Sequence, residues 1–195
     1  KCDVTTQGWQ VLESFGCGPT LCGFEVCSDA FTVDHVKQLV QELMRSFINF
    51  RSQIYRIGEH YYFKEEFDPE TQDFNDYVQH IPMECKEIDT AKDTEAVIEE
   101  KIWQQALKYL NEHKAFNVVW NEYKRAHLDV FYFHFEAQSK CVVFTRMNHS
   151  YGDGILFSSV LALIHNKLWN PAFKKKQIDF ASPTPEIIPL INNVL

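Results

Sequence analysis

Most signatures that would fix a chemistry at once are missing from this sequence. The cysteines form no CxxC pair, so a structural zinc site has little support. There is no HExxH spacing among the histidines, which argues against a metal centre. No GxSxG surrounds Ser158-Ser159, and nucleophilic serine catalysis is unsupported. Gly16-Cys17-Gly18 lacks the preceding strand and the lysine that a phosphate loop needs. No apolar run reaches the roughly eighteen residues of a membrane-crossing helix, so no integral membrane segment is expected.

Positive charge is also in short supply. With 19 Lys and Arg against 27 Asp and Glu, the net charge is −8, which argues against a nucleic-acid partner. The one basic run, Lys174-Lys175-Lys176, reads as a solvated loop. Cysteine is unevenly spread: Cys2, Cys17, Cys22 and Cys27 crowd the first 27 residues, with Cys85 and Cys141 apart. This clustering is compatible with disulfides and points toward a secreted or ER-lumenal setting. Cys141 opens an apolar strand and also reads as a free core thiol. The chain starts at Lys1 and not at Met, which leaves a processed product, a trimmed piece and one half of a cleaved precursor all open. The sequon Asn148-His149-Ser150 reads as a chance match that carries no sugar.

What is present is a globular supply of apolar residues: 45% of the chain, with 16 Phe. These fill a core before they line a ligand channel. Residues 21–28 alternate as a strand does. Thr32 is a plausible cap for a helix over 33–47, whose Val36, Leu39, Val40, Leu43, Met44 and Phe47 share a face. Residues 52–66 read as a hairpin turning at Gly58. A Pro-containing loop and a short strand-like piece follow, ending near His80, and then a helix over 94–111. Leu128–Phe135 alternates, with Leu128, Val130, Tyr132 and His134 on one face and Phe131, Phe133 and Phe135 on the other. Cys141–Met147 is almost continuously apolar, as a buried central strand should be. The short polar link Glu136–Lys140 makes these two strands antiparallel neighbours. A third apolar helix is expected from about 155 to 168, and 169–195, with four of the seven prolines, reads as a connecting segment. The fold class is therefore α/β: a two-layer sandwich of a mixed sheet with packed helices, residues 1–168 forming the domain.

One constellation carries chemistry. Asn148-His149-Ser150-Tyr151-Gly152-Asp153-Gly154 follows the buried strand and opens a helix. A strand end delivers His149 to a mouth, and glycines let backbone approach closely. Three fixed residues are weak evidence alone; their setting adds weight.

HxxxDG after a hydrophobic strand, in this element order, resembles the chloramphenicol-acetyltransferase-like superfamily, which includes wax ester synthase/diacylglycerol acyltransferases and peptide-synthetase condensation domains. Upstream, Arg51-Ser52-Gln53-Ile54-Tyr55-Arg56, Tyr61-Tyr62-Phe63 and Phe74–Ile81 with His80-Ile81 are similar to the same N-terminal pattern. The resemblance runs from about residue 20 to 168. It implies half of a pseudo-dimeric fold, in which two similar domains stack with a tunnel between them and the motif lies mid-tunnel. His149 would be the general base that takes the proton of an alcohol or amine acceptor as it attacks a thioester, for which an imidazole is suited. Asp153 would fix the turn by pairing with an arginine, and Gly154 would allow tight packing where the helix starts. Acyl-CoA is the implied co-substrate, with no covalent cofactor. The implied partner is a C-terminal acyltransferase-like half, on the same precursor or a separate chain.

Two departures stand out. Many members carry two consecutive histidines; here the first is Asn148, which leaves the base in place but changes the support of the loop. The second domain, which in the family carries much of the tunnel, is absent from these residues. An acyltransferase half is thus the leading reading. A non-catalytic binder of a lipid or other lipophilic molecule, such as a pigment, is its rival, and a structural subunit of a larger assembly the third.

Overall fold

The computed structural model describes residues 20–118, 120, 123–152 and 168. Eight regular elements follow in order: β1 (Thr20–Ser28), α1 (Val33–Ser46), β2 (Ser52–Ile57), β3 (His60–Glu65), β4 (Val78–Pro82), α2 (Glu95–Glu112), β5 (Leu128–Phe135) and β6 (Lys140–Asn148). The expected strand, helix, hairpin, helix and paired strands are all there, with ends shifted by no more than a residue or two.

Local chemistry explains the boundaries. Thr32 caps α1 by accepting from the His35 backbone N–H, and the His35 ring accepts in return from the Thr32 N–H at 3.0 Å. The imidazole thus plays the part that Glu or Gln plays in the usual reciprocal cap. Gly58 sits at φ 63 between β2 and β3, a left-handed conformation that side chains resist. Between β5 and β6 a short 3₁₀ turn over Glu136–Gln138 ends on Ser139, also left-handed at φ 50.

The sheet runs β1-β6-β5-β4, with β2 and β3 as a separate two-stranded ribbon. β6 is antiparallel to both β1 and β5, while β4 is parallel to β5. A parallel neighbour needs a crossover, and α2 supplies it between β4 and β5.

Alternation along β5 and β6 separates two cores. Leu128, Val130, Tyr132, Cys141, Val143 and Met147 join Val36, Val40, Leu43 and Met44 of α1. Phe131, Phe133, Phe135, Val142 and Phe144 join Ile102, Ala106 and Leu110 of α2. The mixed sheet with packed helices is as the sequence predicts. Its helices divide between the two faces, so a helix–sheet–helix order refines the two-layer expectation. The cause is legible in β5 and β6, which are apolar on both sides and need cover on both. Burying one Phe such as Phe133, fully enclosed, contributes about 2–3 kcal/mol.

Candidate active site

β6 is the inner strand between β1 and β5, and its last residue is Asn148. The chain then turns into a single 3₁₀ turn, His149–Tyr151. His149 therefore stands at a strand end, half-buried. Asp153 and Gly154 lie outside the described residues, as do the third apolar helix up to residue 167, Ser158-Ser159, Cys2, Cys17, the basic run and the connecting segment 169–195.

Three anchors fix the turn that carries His149. The Asn148 Oδ1 accepts from the Ser150 N–H at 2.8 Å, an N-cap on the 3₁₀ turn. The Asn148 N–H donates to the His127 carbonyl at 3.0 Å. On the other flank the Tyr151 hydroxyl donates to the Ser52 carbonyl at 2.9 Å, and the Tyr151 ring packs among Phe50, Phe63 and His127. The turn is thereby fastened to the β2–β3 ribbon on one side and to the start of β5 on the other. Asn148 is 0% exposed, which agrees with reading its sequon as carrying no sugar.

His127 lies just ahead of β5 and is 1% exposed. Its ring stacks on Trp120, with centroids 5.6 Å apart. Because Asn148 Oδ1 is an acceptor, its Nδ2 is the donor that faces His127 Nδ1 at 3.4 Å. His127 is then the Nε2–H tautomer, and that nitrogen has no hydrogen-bond partner among the described residues. Burial, aided by the nearby Arg125 guanidinium, pushes its pKa down to about 4. His127 is a neutral histidine at neutral pH.

Beneath this pair lies a buried charge network. Asp129 of β5 and Arg146 of β6 are cross-strand partners, 1% and 8% exposed. Arg146 Nε donates to Asp129 Oδ2 at 2.7 Å, and Tyr123 donates to the same oxygen at 2.9 Å. Arg125 pairs with Asp129 Oδ1, and Arg146 also donates to the Ala115 carbonyl. The Arg125 guanidinium lies 4.7 Å and 4.8 Å from the ring centroids of Tyr77 and Tyr123. Burial raises the Tyr123 hydroxyl pKa, so it stays a donor. Such a network is not a large source of stability, but removing one partner strands the others in a dry site.

Neither His127 nor this network is singled out by the sequence reading. A signal existed: Asp129 and Arg146 are the charged residues inside two otherwise apolar strand runs, and the short β5–β6 link sets them opposite each other. His134 is half-buried, with its ring centroid 5.8 Å from that of His80 and 6.1 Å from that of Tyr132. It packs, as expected. Among the described residues no group of three or more His, Cys, Asp and Glu could hold a metal ion. Cys22, Cys27, Cys85 and Cys141 are free thiols.

An open depression of about 400 Å³ lies elsewhere, lined by Arg45, Arg51, Glu65, Glu66, Phe67, Asp68 and Pro69. Its cations are already committed, Arg45 to Glu70 and Arg51 to Glu65, each at 2.7–2.8 Å. Its glutamates are engaged as well, Glu65 by Arg51 and Glu66 by Tyr55 and Lys64, and it holds no histidine, so the strand-end histidine is the better candidate.

No protein-family model matches the chain, and no curated protein matches it either. Solved structures do. The chain is similar to the starter condensation domain of the rhizomide synthetase RzmA: 10% identity, TM-score 0.56, covering 99% of this chain and 44% of that one. A mutant of that domain in complex with C8-CoA gives 9% identity and a TM-score of 0.58 over 86% of this chain and 35% of that one. The wax ester synthase/diacylglycerol acyltransferase from Marinobacter aquaeolei gives 12% and 0.53, over 83% and 36%. This likeness shows the fold: the chain has the condensation-domain, chloramphenicol-acetyltransferase-like architecture. It spans less than half the length of each of these structures.

Proposed function

We propose that this chain is the N-terminal half of an acyltransferase and that His149 is its general base. The observation that carries the reading is the placement of His149. It stands at the end of the inner strand β6, on a turn held by Asn148, His127 and Tyr151. The acyltransferase and condensation enzymes among its structural neighbours support the reaction class, and the neighbour in complex with C8-CoA supports acyl-CoA as donor.

In this reading the acceptor O–H or N–H proton passes to the His149 imidazole while the acceptor atom bonds to the thioester carbonyl carbon. The C–S bond then breaks and the imidazolium returns the proton to the departing thiolate. Asp153 orients the turn, and Gly154 allows its close packing. Asn148 takes over the support that a preceding histidine gives in related motifs, through its contacts to Ser150 and His127. A C-terminal half, on the same precursor or a second chain, completes the tunnel. The test is release of free CoA from medium-chain acyl-CoA in the presence of an alcohol or amine acceptor, with that half present. His149→Ala should lower the rate roughly 100-fold or more. Equal rates in parent and variant would sink the reading; retained binding of acyl chains without turnover in the parent would favour a lipophilic-ligand carrier on the same fold.

A further inference from the structure

Far from His149, at the opposite end of β6, two thiols meet. Cys27 and Cys141 are register partners across the antiparallel β1–β6 pair. Directly opposed residues in such a pair have Cα atoms about 4.5 or 5.5 Å apart, depending on the ladder position. Both spacings fall within the range that a disulfide bridges. The two side chains point to the same face: Cys141 is 0% exposed inside the α1 core, and Cys27 is half-buried against that core. The Cys141 thiol donates to the carbonyls of Ser28, next to Cys27, and Phe31 at 3.6 and 3.5 Å.

The other described cysteines have no such mate. Cys22 is exposed and opposes Arg146, and Cys85 belongs to the core on the other face. Among the described strands β1 is an outer one and β6 an inner one, so the half-buried Cys27 is the thiol of the pair that a reagent reaches first.

We propose that Cys27 and Cys141 are a cross-strand disulfide site, oxidised by a thiol–disulfide oxidant of the glutathione disulfide type. Two protein S–H bonds and the S–S bond of the oxidant break. One Cys27–Cys141 S–S bond and two S–H bonds on the reduced oxidant form, so the protein gives up two electrons and two protons. The bond ties β1 to β6 and closes the chain from residue 27 to residue 141, a long loop of the kind whose closure restricts the unfolded chain most. It lies at the end of β6 away from the His149 turn and stabilises the strand that carries it.

The test is made on the full-length chain after incubation with oxidised glutathione. Unreacted thiols are blocked with N-ethylmaleimide in denaturant, and unreduced peptides are mapped by mass spectrometry. The expected result is a linked pair of peptides containing Cys27 and Cys141, two hydrogens lighter than the sum of the free peptides. Dithiothreitol should then lower the thermal midpoint by roughly 5–15 °C, and Cys27→Ser should abolish both the link and that shift. If Cys141→Ala fails to fold, the Cys27→Ser comparison still decides. Finding both thiols blocked by N-ethylmaleimide, linked to Cys22 or Cys85, or carrying glutathione adducts alone would overturn the proposal.

Discussion

The β5–β6 ladder has two ends built from different materials. Toward Phe135 and Lys140 its inward residues are Phe133, Phe135, Cys141 and Val142, all fully enclosed and apolar or thiol. Toward Leu128 and Asn148 the ladder buries an aspartate, an arginine, a histidine and an asparagine. Both ends are buried. The first needs only shape to be stable, whereas the second needs every polar group matched, at a cost in desolvation that apolar residues would not incur. The polar end is the one that carries His149. A fold that spends stability there gains a turn whose position is dictated by directional bonds, which packing alone specifies less sharply.

The largest effect should come from unbalancing that polar end. Asp129→Ala leaves the buried Arg146 and the part-exposed Arg125 without their carboxylate and should cost about 3–5 kcal/mol in equilibrium denaturation. Removing both charges together, Asp129→Leu with Arg146→Met, should cost clearly less than the sum of the single changes, because only the part-exposed Arg125 then lacks its carboxylate. Additive losses would mean that the two ends of the ladder do not differ in the way described.

Next comes pH. An unfolded-chain imidazole takes up its proton near 6.5, whereas buried His127 holds off until about 4. Between those values the unfolded state binds more protons than the native one, so stability falls as the pH drops through the window. The loss should total about 3 kcal/mol by pH 4 and level off below it. His127→Gln should flatten this dependence in urea titrations at several pH values; an unchanged slope would place the titrating group elsewhere.

The smallest expected effect is Asn148→Ala. It removes the cap on the His149 turn and should cost about 1 kcal/mol, while lowering acyl transfer by a larger factor than that loss of stability predicts. A variant as active as its parent would show that the turn needs no such support.

Much of this fold is legible in the residues. The periods of α1, α2, β5 and β6 and the turn chemistry at Gly58 mark the elements, and the HxxxDG spacing marks the site. What the periods do not carry is long-range pairing. That β4 lies parallel beside β5 depends on how the crossover helix packs, and no local pattern in Val78–Pro82 encodes it. The role of His127 is hidden for the same reason. It sits 21 residues before Asn148 and becomes its partner only once β5 and β6 are in register. The network of Asp129 and Arg146 stands between these cases: each residue is visible as a charge in an apolar run, but its four-residue company, with Arg125 and Tyr123, comes from the tertiary fold.

The most direct measurement is the unfolding free energy of His149→Ala. If His149 is held in place for chemistry and the fold does not depend on it, stability should stay within about 1 kcal/mol of the parent while acyl transfer collapses. A loss of about 3 kcal/mol or more would mean that His149 is a structural strand-end histidine, and it would contradict its assignment as the base.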